Sequence, residues 1–168
     1  SITSDYVTLQ PLELMQVAQK NVRKYRSIMK DDTRIYVVAQ NSSGGEWFLC
    51  NYVFMPAYTV KTMGGGNFAS REMMETMKDD PFYSYMVYAD QENFAQYLRD
   101  NDVDLVYLFN LNEYFYEEFA DMFADGLAER TDGSCYFYAV HDLGDDMEFV
   151  GIYSSDHYRE LRQEWGLD

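Results

Sequence analysis

The stretch QENFAQYLRDNDVDLVYLFNLNEYFYEEFADMFA, residues 91–124, decides how this chain is read. Its first ten residues, Gln91 to Asp100, place Phe94, Tyr97 and Leu98 at spacings of three and four with polar residues between them. That is the pattern of a helix with one buried face. Asp104 to Leu111 (DLVYLFNL) is then apolar at nearly every position, which suits a strand covered on both sides. Asn112 is a helix cap by residue type, and Phe115, Phe119, Met122 and Phe123 form the apolar stripe of a second helix running to about Ala124. Gly126 stands where that helix should stop.

Working outward toward the amino end, Arg34 to Gln40 (RIYVVAQ) reads as another buried strand, preceded by an amphipathic helix from Pro11 to Met29. Asn41 to Gly45 is a turn by composition, and Trp47 to Tyr58 reads as a strand region that Pro56 ends or places at an edge. From Thr59 to Pro81 the pattern is lost: TMGGGN is a loop, followed by a short Met-rich segment of helical character, and Tyr85 to Tyr88 is a further strand. Toward the carboxyl end, Cys135 to His141 and Glu148 to Tyr153 are strands joined by the turn-like LGDD, and His157 to Trp165 is a short polar helix. Alternating helices and strands predict an α/β fold with a mostly parallel central sheet. The close final strands predict an antiparallel edge hairpin, and the whole reads as a three-layer α/β/α sandwich forming a single domain over residues 1–168.

Composition narrows the function classes. At 168 residues the chain can bury a substantial core, and a hydrophobic share of 47% excludes a disordered chain. With 16 Tyr and 11 Phe, a Tyr-filled core and sheet surface is the expectation, and carbohydrate or protein contact is the more specific alternative. The net charge of −16 repels phosphate backbones, so nucleic acid is excluded as a partner, and docking on an anionic membrane surface is disfavoured on the same ground. No run approaches the roughly 18 apolar residues of a membrane span, and no signal peptide opens the chain. The chain begins with Ser1, not Met, which suggests a processed protein or a piece of a longer one. Cys50 and Cys135 have no CxxC neighbour and read as buried free thiols, with pairing in an oxidising compartment as the other reading.

No motif carries a complete chemistry. Gly64 to Asn67 (GGGN) lacks the Lys-Ser/Thr and the strand-to-helix setting of a phosphate loop, and Asn41-Ser42-Ser43 is a glycosylation pattern too short to weigh heavily. The acid pairs Asp31–Asp32, Glu117–Glu118 and Asp145–Asp146 are adjacent, so their side chains diverge on a helix or a strand and make poor acid/base partners. Asp142, Asp145 and Asp146 match no established cation loop and read as a solvated turn. His141 beside Asp142 and His157 after Asp156 lack a nucleophile in a suitable setting, and two histidines make zinc improbable. Trp47, Tyr52 and Tyr58 have the residue type that stacks on sugar rings, although strand aromatics are ordinarily core. No catalytic residue, metal ligand or cofactor is expected from these patterns.

A resemblance adds a direction. RIYVVAQNSSGGEWFLCNYVFMPAY, followed later by VDLVYLFNLNEYFYEEFADMF and CYFYAV, resembles the extracytoplasmic C-terminal domains of large bacterial polytopic membrane proteins of the GT-C glycosyltransferase kind, which use lipid-linked sugars. The features that carry it are Tyr36 to Gln40, Tyr52 to Pro56, Asp104 to Leu108, the Phe115/Phe119/Phe123 spacing and Tyr136 to Val140, about half of the chain. Asp104 stands where an aromatic residue is expected, and Lys61 to Asp80 has no counterpart. The resemblance implies that catalytic acids lie in membrane-side loops of the parent protein. This chain would then be a non-catalytic accessory domain on the outer face of the bacterial membrane, in contact with cell-surface glycan or the transmembrane body.

The competing expectation is a free-standing cytoplasmic ligand-binding protein or small enzyme. In an open α/β sheet its site would lie at the carboxyl ends of the strands, where Gln40, Asn41, Asn110 and Asn112 would line it.

Overall fold

Strands that are apolar at consecutive positions must be buried on both faces, and the middle of the central sheet is built from such strands. The structure is a computed structural model that describes residues 11–39, 52–63, 67–81, 86–110, 113–127 and 137–168. In chain order it has α1 (Pro11–Lys24), β1 (Arg34–Ala39), β2 (Tyr58–Val60), β3 (Asn67–Ala69), α2 (Arg71–Thr76), β4 (Met86–Tyr88) and α3 (Gln91–Asp100). These are followed by β5 (Leu105–Asn110), α4 (Glu113–Phe119), β6 (Phe137–Asp142), β7 (Met147–Gly151) and α5 (Ser155–Glu164). Single 3-10 turns at Arg26–Ile28 and Ala120–Met122 follow α1 and α4.

The five-stranded sheet has the order β2-β1-β5-β6-β7. β1 pairs in parallel with β2 and β5, and β6 runs antiparallel to both β5 and β7. The fold is therefore mixed α/β, with most strands of the central sheet pointing one way. A separate two-stranded sheet pairs β3 with β4 in parallel.

Alternation along the strands divides the core. Ile35, Val37, Leu105, Tyr107, Phe137 and Ala139 enter one buried cluster with Tyr25, Ile28 and Tyr158. Their neighbours Tyr36, Val38, Val106, Leu108 and Tyr138 enter a second cluster with Phe94, Phe115 and Phe119. A strand places successive side chains on opposite faces, so each of these short strands contributes to both clusters. The second cluster is mainly aromatic: Phe94 lies 5.0 Å from Phe119 and 5.6 Å from Phe68 between ring centroids. The first is pinned by Tyr25, whose hydroxyl donates to the Ile152 carbonyl at 2.7 Å.

Caps set several boundaries. The Asp90 carboxylate accepts from Asn93 N at 2.7 Å, and Ser154 Oγ accepts from His157 N at 3.0 Å. Ser154 makes the last helix start at Ser155, two residues before the expected His157. Past α4, Gly126 takes φ +77, the left-handed turn anticipated for it. Just before it, Phe123 bridges to Phe149, and Ala124 N donates to the Phe149 carbonyl at 2.9 Å along the outer side of β7.

Three expectations are corrected. The predicted strand from Trp47 to Tyr58 is, in its described part, a turn: Phe54 is buried, Ala57 N bonds the Phe54 carbonyl at 2.9 Å, and Met55–Pro56 is a cis peptide. Pro56 has no N–H to give a ladder, and the strand begins only at Tyr58. The stretch from Thr59 to Pro81, unpatterned apart from its Met-rich segment, holds part of β2 and all of β3, while the Met-rich segment is helical as expected and forms α2, capped by Ser70. The helices drawn to Met29 and Ala124 end at Lys24 and Phe119 and tighten into the 3-10 turns. Among the described residues no helix is long and apolar enough to cross a membrane.

Candidate functional site

Because β6 runs against its neighbours, its end at His141 and Asp142 lies beside the amino end of β5, and α5 packs across the same edge. The centre of this edge is Asp104, immediately before β5. Its Oδ2 accepts from Arg34 N at 2.9 Å, and its Oδ1 faces Arg162 Nη1 of α5 at 3.4 Å. Arg162 Nη1 also donates to the Tyr158 hydroxyl one helical turn earlier at 3.1 Å, and Arg162 Nε meets both oxygens of Asp168. The backbone fixes Asp104 from both sides, since Asp104 N donates to the Arg34 carbonyl and Val140 N to the Asp104 carbonyl.

Two cavities flank this cluster and share Asp104 and Arg162 as a common wall. One, of about 240 Å³, is lined by Lys30, Thr33, Tyr158 and Arg159 among others. The other, of about 310 Å³, is lined by Arg99, His141, Asp142 and Trp165 among others. Burial raises the Asp104 carboxyl above its ordinary value, against the pull of the Arg34 amide and of Arg162. Burial, with the nearby Asp104 charge, pushes the Tyr158 phenol up to about 12. Tyr158 is therefore a neutral hydrogen-bonding group at physiological pH. At Asp142 burial acts upward but is outweighed by the Gly144 amide and Arg99, which bonds it at 2.9 Å, and its value is lowered.

The residues singled out for chemistry have other employment. His141 Nδ1 lies 3.0 Å from Glu148 Oε1 across the hairpin, and its ring stacks on Trp165 at 4.1 Å. His157 stacks on Tyr153 at 3.8 Å, while Asp156 pairs with Arg159 instead. The Asp142–Asp146 turn is tied by Gly144 N to Asp142 and by Met147 N to Asp146, and no group of three metal-ligating side chains occurs among the described residues. Asn110 is the last residue of β5, in register with Ala39, at the carboxyl end of the parallel strands. Gln40, Asn41, Asn112, Trp47, Cys50 and Cys135 lie outside the described residues.

Comparison with protein-family models, curated proteins and solved structures gives no match. The site therefore rests on its own geometry. The Asp104–Tyr158–Arg162–Asp168 cluster was missed in the sequence because its members are scattered. Two signals were present: the Tyr158–Arg162 spacing of four on a polar helix, and Asp104 as an acid just before a wholly apolar strand.

A second surface stands at the edge strand β2, whose first residue Tyr58 is in register with Arg34. Tyr52, Met55 and Tyr58 are 58%, 60% and 53% exposed, on either side of the buried Phe54 and Ala57. The Arg34 guanidinium lies 4.5 Å from the Tyr58 ring centroid and steadies that ring.

Proposed function

We propose that this chain is a non-catalytic accessory domain, a three-layer α/β/α sandwich with an antiparallel edge hairpin, on the extracytoplasmic face of a bacterial membrane protein resembling GT-C glycosyltransferases. There it contacts glycan. The observation that carries the reading is the exposed Tyr52, Met55 and Tyr58 surface on the edge strand β2 and the turn before it. Large apolar side chains grouped in the open mark interaction sites, and tyrosine combines an apolar ring face with a polar tip. That suits a sugar, whose C–H faces stack on rings and whose hydroxyls need hydrogen bonds. The Arg34 contact holds the Tyr58 ring in place, lowering the ordering cost of binding. The net charge of −16 favours a neutral glycan over an anionic lipid surface. At the amino edge, the Asp104–Arg162 pair gives those charges a role in clasping α5 to the sheet.

The test is titration of the chain with neutral cell-surface oligosaccharides and lipid-linked sugars, followed by NMR. Shifts centred on Tyr52 to Tyr58, lost in Tyr58→Ala, are expected. Shifts elsewhere, or none with any of these sugars, refute glycan contact. Contact with a transmembrane body would instead appear as crosslinks from the same surface in membranes. The placement has its own test in the reading frame upstream of Ser1, which is expected to encode several long apolar segments.

A further inference from the structure

Asp168 grips Arg162 by one nitrogen only. Both carboxylate oxygens accept from Nε, at 3.1 and 3.0 Å, while Nη2 reaches only the Leu167 carbonyl at 3.5 Å. A carboxylate matched to a guanidinium places one oxygen on each of two parallel N–H groups. Asp168 is tethered six residues from Arg162, and Gly166, at φ +74, turns the chain back so that Leu167 N bonds the Arg162 carbonyl at 2.8 Å. Within this short return the Asp168 carboxylate meets Nε alone and leaves the fork half used.

The surroundings are those of a site. Lys30, Arg159 and Arg162 line the same cavity as Asp32, Asp104 and Asp168, so once Asp168 withdraws the cations there outnumber the carboxylates in a strongly acidic chain. The buried Tyr158 hydroxyl fixes the guanidinium from behind. The flanking cavities, about 240 and 310 Å³, are each near the lower end of the roughly 300–1,000 Å³ typical of ligand pockets. They meet at the Asp104–Arg162 wall, with Leu167 on one and Asp168 on the other. The Asp168 side chain is 49% exposed, so it can leave Arg162 for water without disturbing the core.

We infer that this edge is a binding site for a small carboxylate, with Asp168 standing in the ligand's place and yielding the Nε/Nη2 fork of Arg162 to it. The ligand accepts two parallel hydrogen bonds where Asp168 accepts from one nitrogen, and Lys30 and Arg159 supply further positive charge. The segment from Gly166 to Asp168 thus acts as an internal competitor. This site is separate from the Tyr52–Tyr58 surface, and either can fail without the other.

The experiment titrates glucuronate, with glucose as the neutral control, into the full chain and three variants, following the Arg162 Nε–H and Trp165 indole signals by NMR. Asp168→Asn removes the competitor. Glu160→Gln removes one charge from the exposed side of the same helix and leaves Arg162 untouched. At least a tenfold gain in glucuronate affinity for Asp168→Asn, a change under twofold for Glu160→Gln and no response to glucose are expected. Adding Arg162→Gln to Asp168→Asn abolishes the binding. No gain in Asp168→Asn, an equal gain in Glu160→Gln, or persistence of binding in a folded double variant would overturn the inference. Should the double variant not fold, the comparison of the two single variants decides.

Discussion

Phe94→Ala tests the account of the aromatic core most directly. Phe94 is fully buried, and its ring centroid lies within 5.0–6.2 Å of Tyr36, Phe68, Phe115, Phe119 and Phe149. Those rings belong to β1, β3, α4 and β7, so the hole left by truncation is walled by separate elements that cannot all close on it. Phe→Ala changes in cores cost about 3–5 kcal/mol, rising with the cavity that persists, and the upper half of that range is expected here. Against a total stability of about 5–15 kcal/mol this is a large loss. For a chain of this size it lowers Tm by roughly 8–20 °C, at about 2–4 °C per kcal/mol. Phe94→Leu keeps most of the volume and forfeits the ring contacts, for about 1–2 kcal/mol. Urea unfolding followed by far-ultraviolet circular dichroism gives both values. A loss under about 1.5 kcal/mol for Phe94→Ala, or equal losses for the two variants, would refute the picture of one aromatic hub joining four elements.

Other perturbations separate the remaining forces. Tyr25→Phe leaves the buried Ile152 carbonyl without its 2.7 Å donor and should cost about 1–3 kcal/mol in the same unfolding assay. The two shifted carboxyls should act with opposite sign on stability measured from about pH 2 to 7. Asp104 holds its proton more tightly folded than unfolded, so its contribution is full below the ordinary value of 3.8 and is lost as pH rises through the raised folded value. Asp142 is lowered, so its contribution is present above 3.8 and is lost as pH falls through the folded value. Asp104→Asn should therefore remove a falling limb and Asp142→Asn a rising one; the same slope change in both would contradict the assignment. Gly144→Ala, at φ +92 with open space around the added carbon, should cost about 1 kcal/mol through the backbone alone, without altering the His141–Glu148 contact seen by NMR.

Legibility in the sequence followed length and period. β1, β5 and α3 were readable because six to ten residues repeat a pattern that burial enforces, and α3 has its sequence-derived bounds, Gln91 to Asp100. β2 and β3 have three residues each, too few to show an alternation, and pairing to other strands defines them instead. Phe54 misled for a related reason: its apolar neighbours suggested a strand, whereas Phe54 and Ala57 enter the core from a turn. The candidate site was less legible still. Asp104 and Arg162 are 58 positions apart, and each looks like an ordinary surface charge until the sheet edge and α5 bring them together. The exposed tyrosines could be named by type, but their exposure depends on where β2 begins.

The bridge from Phe123 to Phe149 has a bearing on how the chain behaves among copies of itself. An uncovered outer strand offers unpaired N–H and C=O groups to any neighbour of similar shape, the starting point of edge-to-edge aggregation. Here the segment after α4 occupies part of that position on β7 through the Ala124 N to Phe149 carbonyl bond. The guard is fastened by Phe123, whose ring meets Tyr138 at 4.7 Å and Phe149 at 4.8 Å. One side chain therefore both fills the interior and keeps strangers off the sheet, and a defect at Phe123 would reveal itself in crowded solution as clumping before it appeared as unfolding.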